Sequence, residues 1–245
     1  MKIEAGQVYK TNAGGSATVI NYINSGKILV QHNDNYKHQQ FVRACNLRSG
    51  DFKNPYTKST KGIGFIGVGE FDRSIKGRMT KSYSLWSSMM QRCYCSTRNK
   101  SKKSYFGISV DKEWHNFQNF AQWFNKQINV INQGFDLDKD LRVSGNKMYS
   151  KNTCSMVPVE INKMVRSMSG YKRSVPQGVK SAGKSYTAHI GMNGFVHYLG
   201  IYKTKEEASE VYRNKKQEYY KVMAEKYKNV LHREVYENLT LGRIE

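Results

Sequence analysis

Asp136, Asp138 and Asp140 form a cluster of acids within the segment GFDLDKDLRVSGNKMYSKNTCSMVPVEINKM, residues 134–164. Residues 135–141 can form a β-strand that ends in this cluster. Carboxylate oxygens suit Mg²⁺, so the cluster could hold a divalent cation. The same residues also suit a solvated turn in which neighbouring asparagines cap the backbone.

The residues after the acids predict the elements that would position them. A polar loop containing Gly145 follows the first strand, and Asn152 leads into a second strand over residues 155–157. Pro158 suits the first turn of a helix, and Asn162 lies one turn further along. The predicted order is strand, loop, strand and helix.

This order resembles the ββα motif of the HNH nuclease superfamily. Five stretches extend the resemblance to phage-encoded HNH endonucleases that carry an Apetala-two-type domain at the C-terminus: LWSSMMQRCY, GISVDKEWHNFQNFAQWF, LDKDL, GNKMYSKNTCSMVP and IN. Together they cover roughly residues 60 to 230. The resemblance implies a homing-endonuclease-like protein encoded by a phage or a mobile element.

The resemblance also implies roles for residues of the ββα segment. Asp138 is an implied catalytic residue, and with Asp140 it would bind Mg²⁺ or Mn²⁺ beside the scissile phosphate. Asn152 corresponds to the central asparagine, and Asn162 corresponds to the last position, where the family has His or Asn. Lys139 occupies the catalytic position at which the family has a histidine that removes a proton from water.

The lysine is a departure from the family pattern. An ordinary lysine has a pKa of about 10.4 and is protonated at neutral pH, so we expect Lys139 to grip phosphate. His115, at the start of a predicted helix, is another candidate base. It is also the kind of residue that lies on the surface or caps a helix.

Residues 174–228 predict a small sheet followed by a long helix. Runs over 185–190 and 195–202 alternate as paired strands do, and 191–194 supply the turn. Thr204, with acids at 206 and 207, predicts a capped helix start. Three strands and one helix resemble the DNA-binding domain of the Apetala-two/ethylene-response-factor family, whose sheet enters the major groove.

The resemblance makes the free face of this sheet the predicted DNA-binding surface. Strand alternation puts Tyr186 and His189 on opposite sides, so both can contact bases only if a bulge intervenes. Ala188 and Ile190 belong under the helix, so the His189 side is expected to face DNA. The candidates for this surface are Lys180, Lys184, Tyr186, His189, Asn193 and His197, with Lys172 and Arg173 as phosphate contacts.

The charge of the chain independently favours a nucleic-acid partner. The 245 residues include 40 Lys and Arg against 19 Asp and Glu, a formal net charge of +21. Such an excess is unfavourable in a small-molecule enzyme but ordinary in a protein that covers phosphates. RNA is an alternative partner that only the charge and the aromatic content support. An anionic lipid surface is disfavoured because the sequence contains no amphipathic anchor.

The cysteine spacing fits a reducing compartment, and the hydrophobic pattern fits a protein of the cytoplasm. The four cysteines contain no CxxC pair, which argues against a zinc knuckle. No apolar run approaches the length of a membrane span, and the start of the chain lacks the apolar core of a signal peptide. We expect a cytoplasmic protein, encoded by a phage and acting in its bacterial host.

These observations predict a multi-domain α+β protein. Residues 1–55 read as an SH3-like small β-barrel, 56–80 as a linker, 81–168 as an HNH-like ββα domain with flanking helices, 173–228 as the DNA-binding domain and 229–245 as a tail. The aromatic residues of a helix over 116–127 are expected to be core.

Two functions follow from these expectations. The first is a sequence-specific, metal-dependent endonuclease that acts on double-stranded DNA, as a monomer on an asymmetric site. The second is an inactive relative that kept its grip on DNA and acts as a repressor or as a competitor for a site. Lys139 is the residue that motivates the second function.

Overall fold

The protein has a mixed α and β fold, as the sequence predicts. A computed structural model describes residues 2–95, 107–127, 134–165 and 174–244. The chain divides into two compact units. The first comprises Met1–Gln91 and Lys112–Gln122, and the second comprises Arg92–Asp111 and Trp123–Glu245. Lys172 and Arg173 lie outside the described residues.

The first unit begins with a four-stranded antiparallel meander and a short helix: β1 (Val8–Lys10), β2 (Ser16–Asn24), β3 (Lys27–His32), β4 (Gln39–Val42) and α1 (Ala44–Ser49). Among the described residues, the edge strands β1 and β4 do not pair with each other, so the sheet is open and not a closed barrel. Ala44 and Leu47 of α1, together with Phe52, pack into the same core as the sheet. The apolar face is thus covered without closure.

The glycine-alternating stretch GIGFIGVGEF, residues 62–71, packs closely against other parts of the first unit. A Cβ atom at Gly67 would lie 2.2 Å from Oδ1 of Asn116, and one at Gly69 would lie 2.3 Å from Oε1 of Gln118. The Gln118 side chain also accepts from the backbone N–H of Phe71 and donates to its carbonyl, both at 3.0 Å. The side chains of Asn116 and Gln118 lie so close to the backbone of this segment that only glycine fits at positions 67 and 69. The sequence predicts a linker here, and the structure shows a packed segment.

Aromatic side chains fill the remaining core of the first unit. The elements here are β5 (Ser74–Ile75), β6 (Arg78–Met79), α2 (Lys81–Tyr94), a 3₁₀ turn (Lys112–His115) and α3 (Phe117–Asn125). Trp86, Phe117 and Phe120 are fully buried, as the helical spacing predicts. The indole N–H of Trp86 donates to the carbonyl of Trp114 at 2.7 Å, which satisfies its one polar atom.

Within its described residues, the second unit contains three small sheets. Strands β8 (Phe135–Asp138) and β10 (Ser155–Pro158) pair antiparallel, and β7 (Ser109–Val110) pairs parallel with β9 (Met148–Tyr149). Strands β11 (Val179–Ala182), β12 (Ser185–Met192) and β13 (Phe195–Tyr202) form an antiparallel sheet in that order. The helices are α4 (Val159–Val165), α5 (Lys205–Lys226) and α6 (Arg233–Thr240).

Local signals set the boundaries of the hairpin and of α5. The turn between β12 and β13 consists of Asn193 and Gly194, both with positive φ (53° and 84°), the combination that a tight hairpin requires. Thr204 caps α5 in a capping box, because its side chain accepts from the N–H of Glu207 at 3.2 Å while Glu207 accepts from the N–H of Thr204.

The segment 229–245, predicted to be a short tail that could be helical, contains helix α6, which packs into the core of the second unit. Val235 and Leu239 are fully buried in a cluster with Val157, Ile161 and Met223. This cluster joins the ββα segment to α5 and α6. Among the described residues, no helix is long and apolar enough to cross a membrane.

Candidate functional site

The acid cluster lies at the end of β8, which is followed by a loop, the two-residue strand β9, the strand β10 and the helix α4. Phe135 and Leu137 are buried on one face of the strand, so Asp136 and Asp138 share the other face. Asp138 pairs across the sheet with Ser155 of β10. Helix α4 begins directly after β10 and carries Asn162.

A cavity of about 350 Å³ opens beside this cluster. It brings together three of the residues predicted for the active site, Asp138, Asp140 and Asn162. Lys139 and Asn152 do not line it. The lining consists of Asp138, Asp140, Leu141, Ser144, Gly145, Asn162, Val165, Asn238, Arg243 and Ile244.

The carboxylate of Asp138 is largely removed from water and is held by the backbone. Its Oδ1 accepts from the N–H groups of Asp140 and Leu141, at 2.8 Å and 2.7 Å. Burial raises the pKa of Asp138 above its ordinary value, although the two backbone bonds act in the opposite direction. The nearby carboxylate of Asp140 adds to the increase. A cation in the cavity would relieve both costs.

Lys139 is engaged with the loop. Its side chain is only 11% exposed, and its Nζ donates to Oδ1 of Asp140 at 2.5 Å and to the carbonyl of Asn146 at 2.7 Å. These two contacts direct Nζ of Lys139 toward the loop. The geometry gives Lys139 the role of tying the loop to the end of β8.

Asn146, which sequence reasoning did not single out, holds the backbone on both sides of the loop. Its Nδ2 donates to the carbonyls of Lys139 at 2.8 Å and Met148 at 2.7 Å. Its Oδ1 accepts from the N–H of Met148 at 3.1 Å. Asn152, in contrast, is exposed in a turn, and its side chain has no hydrogen bond within the described residues. The one sequence signal for Asn146 is its position next to Gly145, where the loop turns at φ 69°.

Asn162 faces the acids from the first turns of α4. It is 8% exposed, and its Nδ2 donates to Oδ2 of Asp136 at 2.9 Å. The amide oxygen of Asn162 therefore has no partner among the described residues and remains available as a ligand. Asp136, on β8, accepts this hydrogen bond and thereby orients the side chain of Asn162.

The donor set fits a magnesium-type cation. Asp138 and Asp140 supply carboxylates, Asn162 supplies an amide oxygen, and Mg²⁺ needs only one or two carboxylates when water and phosphate complete its shell. The hydroxyl of Ser155, buried without a partner within the described residues, lies on the same face as Asp138. In the part of the chain that the structure describes, no group of three or more His, Cys, Asp or Glu is arranged for a metal.

The thiols around Lys139 are kept neutral. Burial raises the pKa of Cys93 to about 11 and that of Cys154 to about 12, so neither is a thiolate at neutral pH. No histidine lines the cavity within the described residues. His115, the other candidate base, belongs to the first unit.

Within the described residues, the three-stranded sheet has one face under α5 and no element over the other face. Ala188 and Ile190 are buried, and Ala188 clusters with Val179 of β11 and Ala208 of α5. The intervening residues of β12, Thr187 and His189, therefore lie on the opposite face. We call this the free face; it carries Lys180, Ala182, Ser185, Thr187, His189, Gly191, Val196, Tyr198 and Ile201.

A histidine and a tyrosine form the centre of the free face. His189 pairs across the sheet with Tyr198, and their rings lie 5.4 Å apart between centroids. Nε2 of His189 lies 3.1 Å from the hydroxyl of Thr187 on the same strand. Tyr198, Val196 and Ile201, which sequence reasoning did not select, are 59%, 73% and 59% exposed.

The structure does not bring all of the predicted DNA contacts to one face. Lys180 and His189 share the free face, whereas Tyr186 and His197 pair with residues on the helix side. Lys184 is exposed in the turn before β12. Asn193 lies in the hairpin turn, where its Oδ1 accepts from the hydroxyl of Tyr219 at 3.1 Å. The register shift near Ala188 and His189 leaves Tyr186 and His189 on opposite sides.

Comparison with protein-family models, with curated protein sequences and with solved structures gives no match to this chain. The cavity and the free face are the features of the molecule that indicate a function.

Proposed function

We propose that this chain binds double-stranded DNA in a sequence-specific manner through the free face. The observation that carries the proposal is the charge around an uncovered sheet. Residues 174–205, which include all three strands, contain no Asp or Glu. The same stretch contains Lys180, Lys184, Lys203 and Lys205, all of them exposed.

A basic sheet with one open face suits the major groove. The groove is about 12 Å wide and admits strands, and its floor presents hydrogen-bonding groups to side chains such as those of His189 and Thr187. Lysines at the margin of the sheet would contact the phosphates on either side. In this proposal the layout is an SH3-like N-terminal module, an HNH-like ββα segment and an Apetala-two-type sheet, in a monomer on an asymmetric site.

Duplex binding should depend on salt in a way that identifies the lysines involved. We expect affinity to fall steeply with salt, and Lys180→Ala or Lys184→Ala should each reduce the slope of log K against log salt by about 0.9. The matched control is Lys221→Ala, which removes an exposed lysine from α5 and should leave the slope unchanged. Titration of labelled duplexes at several salt concentrations measures this.

Negligible affinity for duplex DNA at low salt would overturn the proposal, as would an affinity that molar salt leaves unaltered. Double-stranded RNA is the competitor to include. If it displaced the DNA at equal concentration, the partner would be nucleic acid in general and not DNA.

A second candidate function, metal-dependent hydrolysis of phosphodiesters in DNA, is favoured by the cavity that Asp138, Asp140 and Asn162 share. When bound, Mg²⁺ or Mn²⁺ would stabilise charge on the leaving oxygen of the phosphate. Arg243 lines the same cavity and could hold the phosphate in place. This activity would make the chain an HNH-like endonuclease of a phage or a mobile element.

The contacts of Lys139 favour the alternative, a repressor or site competitor without catalysis. Supercoiled plasmid that carries the bound sequence distinguishes the two when it is incubated with Mg²⁺ or Mn²⁺. If the chain is a nuclease, Asp138→Asn should lower the cleavage rate about 100-fold or more while DNA binding persists. Asp51→Asn, an exposed acid of the first unit, is the control and should cleave normally.

If the wild-type protein binds DNA but does not cleave it, the function that remains is that of a repressor or site competitor. Equal cleavage by wild type and Asp138→Asn would contradict the assignment of the cavity.

A further inference from the structure

The free face carries an apolar stripe with no partner among the described residues. Val196, Tyr198 and Ile201 follow one another along β13 and are 73%, 59% and 59% exposed. Their cross-strand neighbours are Gly191, His189 and Thr187. Gly191 has no side chain, so nothing across the strand covers Val196.

We infer that this stripe contacts the C5-methyl groups of thymines in the major groove, so that the preferred duplex contains A·T pairs at the positions facing β13. The inference rests on the proposed DNA-binding function. The thymine methyl is the only apolar group on a base edge in that groove, and apolar side chains are its natural contact. An exposed apolar stripe inside a basic surface matches that pattern.

Of the residue types that usually read guanine or adenine, the strands carry Lys180 on the free face, and Lys180 lies on the edge strand β11, where we assign it to phosphate. Residues 174–205 contain no arginine, the commonest reader of guanine. Their asparagine, Asn193, contacts Tyr219 from the hairpin turn and is absent from the free face. Gln177 precedes β11 and lies outside the strands. With Lys180 assigned to phosphate, discrimination between bases comes mainly from the apolar stripe and from His189 and Thr187.

The tyrosine at the centre of the stripe is held in place before any ligand arrives. The ring of Tyr198 lies against His189, and His189 is placed by Thr187. Side chains fixed in this way lose little conformational entropy on binding. The lysines that border the stripe, Lys180, Lys184 and Lys203, disfavour a second copy of this chain on the same face, because like charges would meet.

The test removes methyl groups from the DNA. A binding site is first selected from random duplexes, and each thymine in it is then replaced by deoxyuridine, which lacks only the C5-methyl group. We expect one or more positions at which affinity falls about 3- to 5-fold for each lost methyl. Ile201→Ala and Val196→Ala should each abolish the sensitivity at one of those positions.

The matched control is Val222→Ala, which truncates a 62% exposed apolar residue of α5 and should retain full sensitivity to uracil. The salt slope should be the same for wild type and Ile201→Ala, because a methyl contact releases no counterions. A normal slope also shows that the variant is folded.

Binding that is insensitive to uracil at every position overturns this inference and leaves the DNA-binding proposal intact. Loss of all duplex affinity in the wild type overturns the proposal as well. If the wild-type protein forms dimers that Ile201→Ala disrupts, and uracil has no effect, the stripe belongs to a second copy and the inference is wrong.

Discussion

Gly178→Ala is expected to destabilise the second unit by about 2 to 5 kcal/mol, since it combines backbone strain with overpacking. Gly178 has φ 79°, which L-residues rarely adopt, and a Cβ atom there would lie 2.1 Å from the ring of Tyr212. The ring is buried on α5 and cannot move away freely. The same substitution should disturb the sheet, because the carbonyl of Gly178 accepts from the N–H of His189 at 2.7 Å.

Gly183→Ala separates the two causes. Gly183 has φ 64°, but no atom lies within 4 Å of the position that a methyl group would take, so the substitution should cost only the strain of about 1 to 2 kcal/mol. Hydrogen exchange of the amides of β12 measures the stability of the second unit directly. DNA affinity should fall for Gly178→Ala and remain for Gly183→Ala. If both variants lose the same stability, the ring of Tyr212 moves aside for the added methyl group. The short distance between Gly178 and that ring would then not be the reason for a glycine at this position.

Leu239→Ala is expected to destabilise the second unit by about 2 to 5 kcal/mol, through lost burial and the cavity it leaves. Leu239 is fully buried, whereas Leu241, two residues on, is 60% exposed. Leu241→Ala is the matched control and should change the free energy of unfolding by no more than about 0.5 kcal/mol.

The effect of Leu239→Ala should extend to the candidate active site. The neighbouring Asn238 donates to the carbonyls of Leu141 and Arg142, at 2.9 Å and 3.1 Å, and so holds the loop that follows Asp140. Urea unfolding and hydrogen exchange at Leu141 report the two consequences. If Leu239→Ala and Leu241→Ala have the same free energy of unfolding, α6 does not belong to the core.

Features governed by neighbouring residues could be predicted from the sequence. The hairpin turn at Asn193 and Gly194, the capping box at Thr204 and the burial of Ala188 and Ile190 follow from turn chemistry, capping and strand alternation. The sequence also predicts that Asp138 and Asp140 cluster, because they are two residues apart, although β8 ends at Asp138 and the predicted strand continued to residue 141. In each case the signal and the structure lie within a few residues of each other.

Features governed by distant residues could not be predicted in this way. The glycines at 67 and 69 suggested a linker because the side chains that require them, Asn116 and Gln118, come about fifty residues later. Asn146 and Asn152 have the same chemistry, and only the path of the loop decides which one contacts residue 139.

The second unit depends on contacts that are widely separated along the chain. The carbonyl of Leu141 meets Asn238, 97 residues later, and Arg142 pairs with Glu234, 92 residues later, at 2.7 Å. At a translation rate of about 5 to 20 residues per second, the ribosome needs on the order of 5 to 20 s to add the missing partners. During that interval the loop that follows Asp140 lacks the α6 residues that hold it in the finished fold. The cavity beside Asp138 can therefore be completed only once α6 has been synthesised.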